Sequence, residues 1–264
     1  FMTQLRDLES IGIHDKPDSL DDGLMTCFVK EISRNDEGRY EVCLLWKEDH
    51  PPLLANRQHA EQRLKSLTRR LDRNLPLKER YDSALHEMET SGVVEEVPLE
   101  EIRVNNPVYY LLHRPVIKES STSTKVRPVF DASAHGPNGV SLNDCLHAGP
   151  ALTPHIVDVL LRFRRWPIAL AADITKAFLQ LSLREADRDV HRFLWQRGSE
   201  VKVMRFKRVT FGVNCSPYLL NATIRFHLDQ CDHSHVVEEL KENLYVDDWL
   251  SGADSLEEAN YMFE

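Results

Sequence analysis

Residues 242–252 read ENLYVDDWLSG, with two carboxylates, Asp247 and Asp248, side by side between apolar residues. Tyr245 and Val246 before them, and Trp249 and Leu250 after, have the β-branched and aromatic character of strands. The stretch therefore predicts a tight hairpin with the acidic pair as its turn. Adjacent like charges repel, which costs stability unless a cation neutralises them. An Asp-Asp turn also forms for structural reasons alone, because Asp bonds nearby backbone and tolerates unusual dihedrals. Both readings stay open on these residues.

Upstream, PIALAADI (167–174) is a continuous apolar run ending on Asp173, the pattern of a strand buried on both faces. An ionised group at such a strand end is expensive unless it is paired or bound to metal. Hard oxygen donors suit Mg²⁺, with Mn²⁺ as an alternative. Two such ions about 4 Å apart can activate an attacking hydroxyl and stabilise a leaving pyrophosphate. In this reading Asp173 and Asp247 bridge the ions and Asp248 is a secondary ligand, since successive strand side chains face opposite ways.

Around this pair of segments the pattern is α+β. A surface helix over 59–74 carries Leu64, Leu67 and Leu71, and a second over 77–90 carries Tyr81, Leu85 and Met88. VYYLLHRPVI and KVRPVFDAS read as strands joined by the polar run KESSTSTK. Thr153-Pro154 opens a helix to about Arg165, and SPYLLNATIRFHL forms another with Pro217 near its start. TKAFLQL is a short turn-helix element, VHRFLWQ and VKVMRFKRV are strands, and a last helix begins near Asp254 or Ser255. Residues 1–50 are acidic, hold the turn-rich HDKPDSLDDG and the strand-like GRYEVCLLW, and read as a flank or connector.

The composition, 42% hydrophobic and 28% charged over 264 residues, is that of a globule with a substantial core. Arg162, Arg164 and Arg165 interrupt the longest apolar stretch, so no membrane span is expected. Five cysteines with no CxxC spacing fit reduced thiols and an intracellular, non-secreted protein. HLDQCDHSH matches no common zinc spacing and reads as a solvated loop. The chain begins Phe1-Met2 without a signal-peptide pattern, as a piece of a longer polypeptide would. The net charge is −9, but it is uneven: +7 over 105–215 and −9 over 216–264. A basic middle between acidic ends is able to hold a polyanion.

Several motifs in order carry a resemblance. ADITKAFLQL, TFGVNCSPYLLNATI and YVDDWL resemble motifs A, B and C of reverse transcriptases, and STKVRPVFDAS with SLNDCL resembles their finger motif. The wording VRPVFDASA, GPNGVSLNDCLHAGPALTP and NLYVDDWLSGADSLEEA is most similar to the Pol polyprotein of BEL/Pao long-terminal-repeat retrotransposons.

The resemblance implies a right-hand polymerase fold with an antiparallel palm sheet and packed helices. Fingers would cover about 51–148 and 182–215, palm about 149–181 and 216–264, with the thumb absent from this stretch. It implies an RNA-directed DNA polymerase that adds dNTP to a primer 3′-OH, with Asp173, Asp247 and Asp248 as catalytic metal carboxylates. Phe178 takes the gate position under the sugar, beside Ala177, and Phe211 and Gly212 begin motif B. Arg127 matches the arginine that contacts the triphosphate, with Lys118 or Lys125 as its companion. The implied partners are an RNA/DNA template–primer duplex, dNTP and the other Pol domains: protease upstream, and thumb, RNase H and integrase downstream. The implied location is the cytoplasm, in a virus-like particle. An inactive, nucleic-acid-binding relic of the same fold is the alternative. An aspartic protease is disfavoured, because FDASA (130–134) lacks the glycine its motif needs.

Overall fold

The computed structural model describes residues 19–102, 107–117, 126–231 and 235–263. In chain order the first half comprises α1 (Ser19–Glu31), β1 (Ser33–Arg34), β2 (Tyr40–Val42), α2 (Arg57–Asp72), α3 (Leu75–Thr90), β3 (Val94–Glu96), β4 (Leu112–Ile117) and β5 (Val126–Asp131). Then follow α4 (Ile156–Phe163), β6 (Ile168–Asp173), α5 (Ala177–Gln180), β7 (Ser182–Leu183), α6 (Glu185–Arg188), β8 (Arg192–Arg197) and β9 (Glu200–Phe206). The last elements are α7 (Ser216–Leu228), α8 (His235–Asn243), β10 (Leu244–Tyr245), β11 (Asp248–Ala253) and α9 (Leu256–Phe263).

Local chemistry sets most boundaries. Leu64, Leu67 and Leu71 give α2 its buried stripe. Asn74 caps α3 by accepting from Leu77 N, and the helix stops before Gly92, whose φ of +68° suits a residue without Cβ. Ser255 Oγ accepts from Glu258 N while Glu258 Oε2 accepts from Asp254 N, a reciprocal cap for α9. The helix expected from Thr153-Pro154 begins later, at Ile156.

Four small sheets carry the fold: β1-β2-β7, β3-β9-β8, the ribbon β4-β5, and β10-β11-β6. All named pairings are antiparallel except β2 with β7. The β3-β9-β8 sheet is held by a buried ion network. Arg205 donates to Glu95, Glu101 and Asp189, and Asp189 also accepts from Arg192, which is fully buried. Buried charges are tolerable because each finds opposite charge and hydrogen bonds.

Two expectations change. β6 is not buried on both faces: Ala169, Ala171, Ala172 and Asp173 are exposed, because among the described residues the strand pairs only with β11. Residues 19–50 do more than connect. Phe28, Val42, Leu44 and Leu45 belong to the main core, and Phe28 meets the Tyr218 ring of α7 edge-on at 6.0 Å.

His191 makes the fold acid-sensitive. It is 1% exposed, and burial pushes its imidazole from 6.5 down to about 4, partly offset by the Asp187 carbonyl. The unfolded chain therefore binds a proton that the native state refuses. The stability is present in full above pH 6.5 and is lost as pH falls towards 4, by about 3 kcal/mol. Urea midpoints measured from pH 7 to pH 4 are expected to fall less steeply for His191→Gln than for the parent.

Candidate active site

The hairpin register decides where the acids stand. β10 and β11 pair through Leu244↔Trp249 and Tyr245↔Asp248, so the turn is Val246-Asp247 and Asp248 is already in the strand. This corrects the expected Asp247-Asp248 turn. Pairing with β6 draws Asp248 into the sheet, and Val246 gives up the extended conformation its side chain prefers. Its φ is +60°, a region β-branched residues rarely enter, at a cost of about 1–3 kcal/mol. Asp248 lies directly opposite Asp173, and cross-strand partners point to the same face. Ile174 N donates to Asp247 O at 3.0 Å, tying the turn to the end of β6.

All three acids thus gather at one end of one sheet. Asp173 and Asp248 are exposed and Asp247 is half-buried. Burial pushes the Asp247 carboxyl above the usual range, its own backbone N–H partly offsets this, and the charges of Asp248 and Asp173 push it further up. Among the described residues none of the three is ion-paired with a Lys or Arg. As placed, no group of three or more His, Cys, Asp or Glu among them stands ready to hold a metal ion. The donor set still fits a hard divalent cation: it is all carboxylate oxygen, and no Lys or Arg among the described residues relieves its mutual repulsion.

Around the acids, α5 opens on Ala177 and Phe178, which are 2% and 4% exposed. Lys176 precedes them at φ +52° and pairs with Glu87 at 3.0 Å. The Phe178 ring lies 4.3 Å from that of Phe211, which is 59% exposed. Phe178 is thus largely buried, with the exposed Phe211 ring against it. Gly212 adopts φ +91°, and its backbone runs so close to β5 that a Cβ would stand 2.5 Å from Phe130 O. Asn143 holds this loop, donating to Gly212 O at 3.0 Å and accepting from Asn214 N at 2.9 Å.

Arg127 is exposed on β5, opposite Val116, without a hydrogen bond or ion pair among the described residues. Lys118 and Lys125 lie outside the described residues, as does the KESSTSTK loop. His227 of HLDQCDHSH ends α7 and meets Tyr40 Oη at 3.0 Å, whereas His233 lies outside the described residues.

One feature was missed in the sequence. A cleft of about 770 Å³ runs from α2 across the β4-β5 ribbon to Gly212, with Arg63, Arg70 and Arg114 on its walls and Asp131 at one end. The three arginines are exposed and have no carboxylate partner among the described residues. Register puts Arg114 and Arg127 on the same face of the ribbon. Segment charge hid the α2 pair, because nearby acids cancel it in a count; only its helical phase, seven residues apart, was a signal.

Residues 135–264 match the family model described as reverse transcriptase (RNA-dependent DNA polymerase). No curated protein matches the chain. Among solved structures it is similar to the foamy viral protease-reverse transcriptase in complex with dsDNA, at 18% identity and TM-score 0.52 over 70% of this chain and 33% of that one. The same protein with an RNA/DNA hybrid gives 17% identity and TM-score 0.53, over 72% of this chain and 22% of that one. The Prototype Foamy Virus protease-reverse transcriptase CSH mutant gives 16% identity and TM-score 0.55, over 99% of this chain and 30% of that one. The chain thus spans about a third or less of the length of these proteins, and the likeness is one of fold: helices on antiparallel sheets, as polymerase palm and fingers.

Proposed function

From the match of residues 135–264 to the reverse transcriptase family model, we infer that the protein is an RNA-directed DNA polymerase acting on a template–primer duplex and dNTP. We assign it to the Pol polyprotein of a BEL/Pao-type retrotransposon, working inside the cell beside the polyprotein's other domains. Fingers over 51–148 and 182–215 and palm over 149–181 and 216–264 belong to this reading, with residues 19–50 packed onto their core. The observation that carries the function is the gathering of Asp173, Asp247 and Asp248 at one sheet end without a counter-charge among the described residues. An RNA-templated primer-extension assay tests it: incorporation should require Mg²⁺ or Mn²⁺ and deoxynucleotides. Template-independent or metal-independent incorporation sinks it.

Asp173 and Asp247, with Asp248 beside them, would hold the divalent ions. When bound, such ions activate the primer hydroxyl and neutralise charge on the departing pyrophosphate. The protein's own contribution is positioning. Arg127 is placed to take the triphosphate with a planar guanidinium suited to phosphate oxygens, and Lys118 or Lys125 is assigned as its companion. Gly212 allows backbone to approach the nucleotide and template. Ala177 leaves room beside the sugar, and Phe178 with Phe211 against it forms the wall that a 2′-OH would strike.

Phe178→Val should raise ribonucleotide incorporation relative to deoxynucleotide by roughly 10- to 100-fold, the scale on which an apolar pocket discriminates. Phe211→Ala is expected to change the ratio in the same direction, since its ring lies against that of Phe178 at a tilt of 59°. Single-nucleotide kinetics with paired dNTP and rNTP read both.

The arginine cleft would take phosphates of the template strand. Arg63→Ala and Arg114→Ala should each weaken RNA binding and reduce the slope of log affinity against log salt by about 1, as loss of one phosphate contact does. Fluorescence anisotropy across a salt series measures this. An unchanged slope in both variants removes the cleft from the template path.

A further inference from the structure

The hairpin made by β1 and β2 grips the two segments that lead away from Phe178 and towards Phe211. Its turn is preformed: Asn35 Oδ1 accepts from Glu37 N and Arg39 N, and Gly38 adopts φ +75°. Glu41 of β2 stands beside Ser182 of β7 in the parallel pairing, and Arg39 Nη1 donates to Gln180 Oε1 at 2.8 Å, at the end of α5.

Arg208 joins the pieces. Only 5% exposed, it follows β9 and precedes Phe211 by three residues, while Ser182 follows Phe178 by four. Arg208 and Ser182 form an antiparallel bridge, flanked by Val209 N donating to Leu181 O at 3.0 Å and Leu183 N donating to Lys207 O at 2.8 Å. The Arg208 guanidinium donates to Ser182 Oγ through one nitrogen and to Glu37 Oε2, at 2.8 Å, through the other. Ser182 Oγ also accepts from Asn35 Nδ2 at 3.0 Å. A planar guanidinium fork fixes such partners at set spacing, which an ammonium on a flexible stem does not.

Glu37 answers the charge. Its carboxyl is held below the usual range first by the hydrogen bond from Arg208, then by the field of that cation, with Lys207 and Arg39 adding to it. A nearly buried guanidinium that loses its carboxylate is left uncompensated, so its side chain and the backbones it ties must shift. Those backbones carry the rings of Phe178 and Phe211, 4.3 Å apart.

We propose that Arg208 is a positioning residue for nucleotide selection: clamped between Ser182 and Glu37, it sets the spacing of Phe178 and Phe211, and the 33–42 hairpin thereby governs how strictly a ribonucleotide is refused. This role rests on the polymerase reading.

Single-nucleotide extension by the full chain with paired dNTP and rNTP separates it from a merely structural role. Loss of stability lowers the active fraction and scales both rates together, leaving KM and the rNTP:dNTP ratio of kcat/KM unchanged. Arg208→Met should raise dNTP KM about tenfold with a smaller fall in kcat, and shift the ratio towards rNTP by a similar factor, as misplaced contacts do. Glu37→Gln should move both in the same direction by about threefold, and the double variant should be no worse than Arg208→Met, since the bond is already lost. Melting curves establish which variants fold; if Arg208→Met does not, Glu37→Gln, at a side chain 57% exposed, decides alone. Unchanged KM and ratio in these variants, beside a shifted ratio in Phe178→Val, overturn the role of Arg208 and leave the polymerase reading standing. Additive effects in the double variant overturn the link to Glu37. An unchanged ratio in Phe178→Val as well removes the wall on which the role depends. A parent chain that extends no primer removes the polymerase reading, and this role with it.

Discussion

Asp247→Asn and, separately, Asp173→Asn should abolish Mg²⁺-dependent primer extension, by roughly a thousandfold or more, which is about 4 kcal/mol of transition-state stabilisation. The same substitutions should leave the fold intact. Asp173, Asp247 and Asp248 repel one another and have no Lys or Arg partner among the described residues, so neutralising one relieves strain in the metal-free protein. The thermal midpoint without divalent ions should stay level or rise. Addition of Mg²⁺ should raise the midpoint of the parent, because a ligand of the native state stabilises it by mass action, and should raise that of the variants little. Extension at parental rates by either Asn variant would falsify the assignment. A variant that loses both activity and its melting transition shows only that the carboxylate was structural.

How far the sequence was legible follows from which signals are local. The hairpin at 242–252 was readable because β-branched and aromatic residues flank a polar break, but its register was not. Pairing of Asp248 with Asp173, two segments 75 residues apart, moved the turn back to Val246-Asp247. The apolar run before Asp173 misled because alanine is apolar in composition yet buries little: Ala169, Ala171 and Ala172 are exposed on a strand with one partner among the described residues. Helix α1 was hidden inside turn-rich wording, and its key residue, Phe28, gains meaning only against Tyr218, far along the chain. Helix α8 offered too few turns to show a period. The candidate acids were legible as residue types; the exposed Phe211 ring against Phe178 was not, because that contact is tertiary.

Gly212→Ala should be the most damaging single methyl group in the nucleotide region. The new Cβ would stand 2.5 Å from Phe130 O, a backbone atom that cannot rotate away, and φ at this position is +91°. Both the loop and β5 must shift, and the expected destabilisation is about 3 kcal/mol. The shift also propagates. Phe211 precedes the glycine and lies against Phe178, while Arg127 lies three residues before Phe130 on the strand that is pushed. Misplacing both contacts by about 1 Å is expected to cost roughly 100-fold in kcat/KM for dNTP. The acids sit on a different sheet, so the Mg²⁺-induced rise in melting temperature should survive in a variant that is otherwise slow and less stable. This combination, metal response kept and nucleotide use lost, is the inverse of the pattern expected for Asp247→Asn. Steady-state kinetics and melting with and without Mg²⁺ on the two variants separate positioning of the nucleotide from holding of the ions. A Gly212→Ala protein with parental stability and kinetics would show that the loop does not pack on β5 as described.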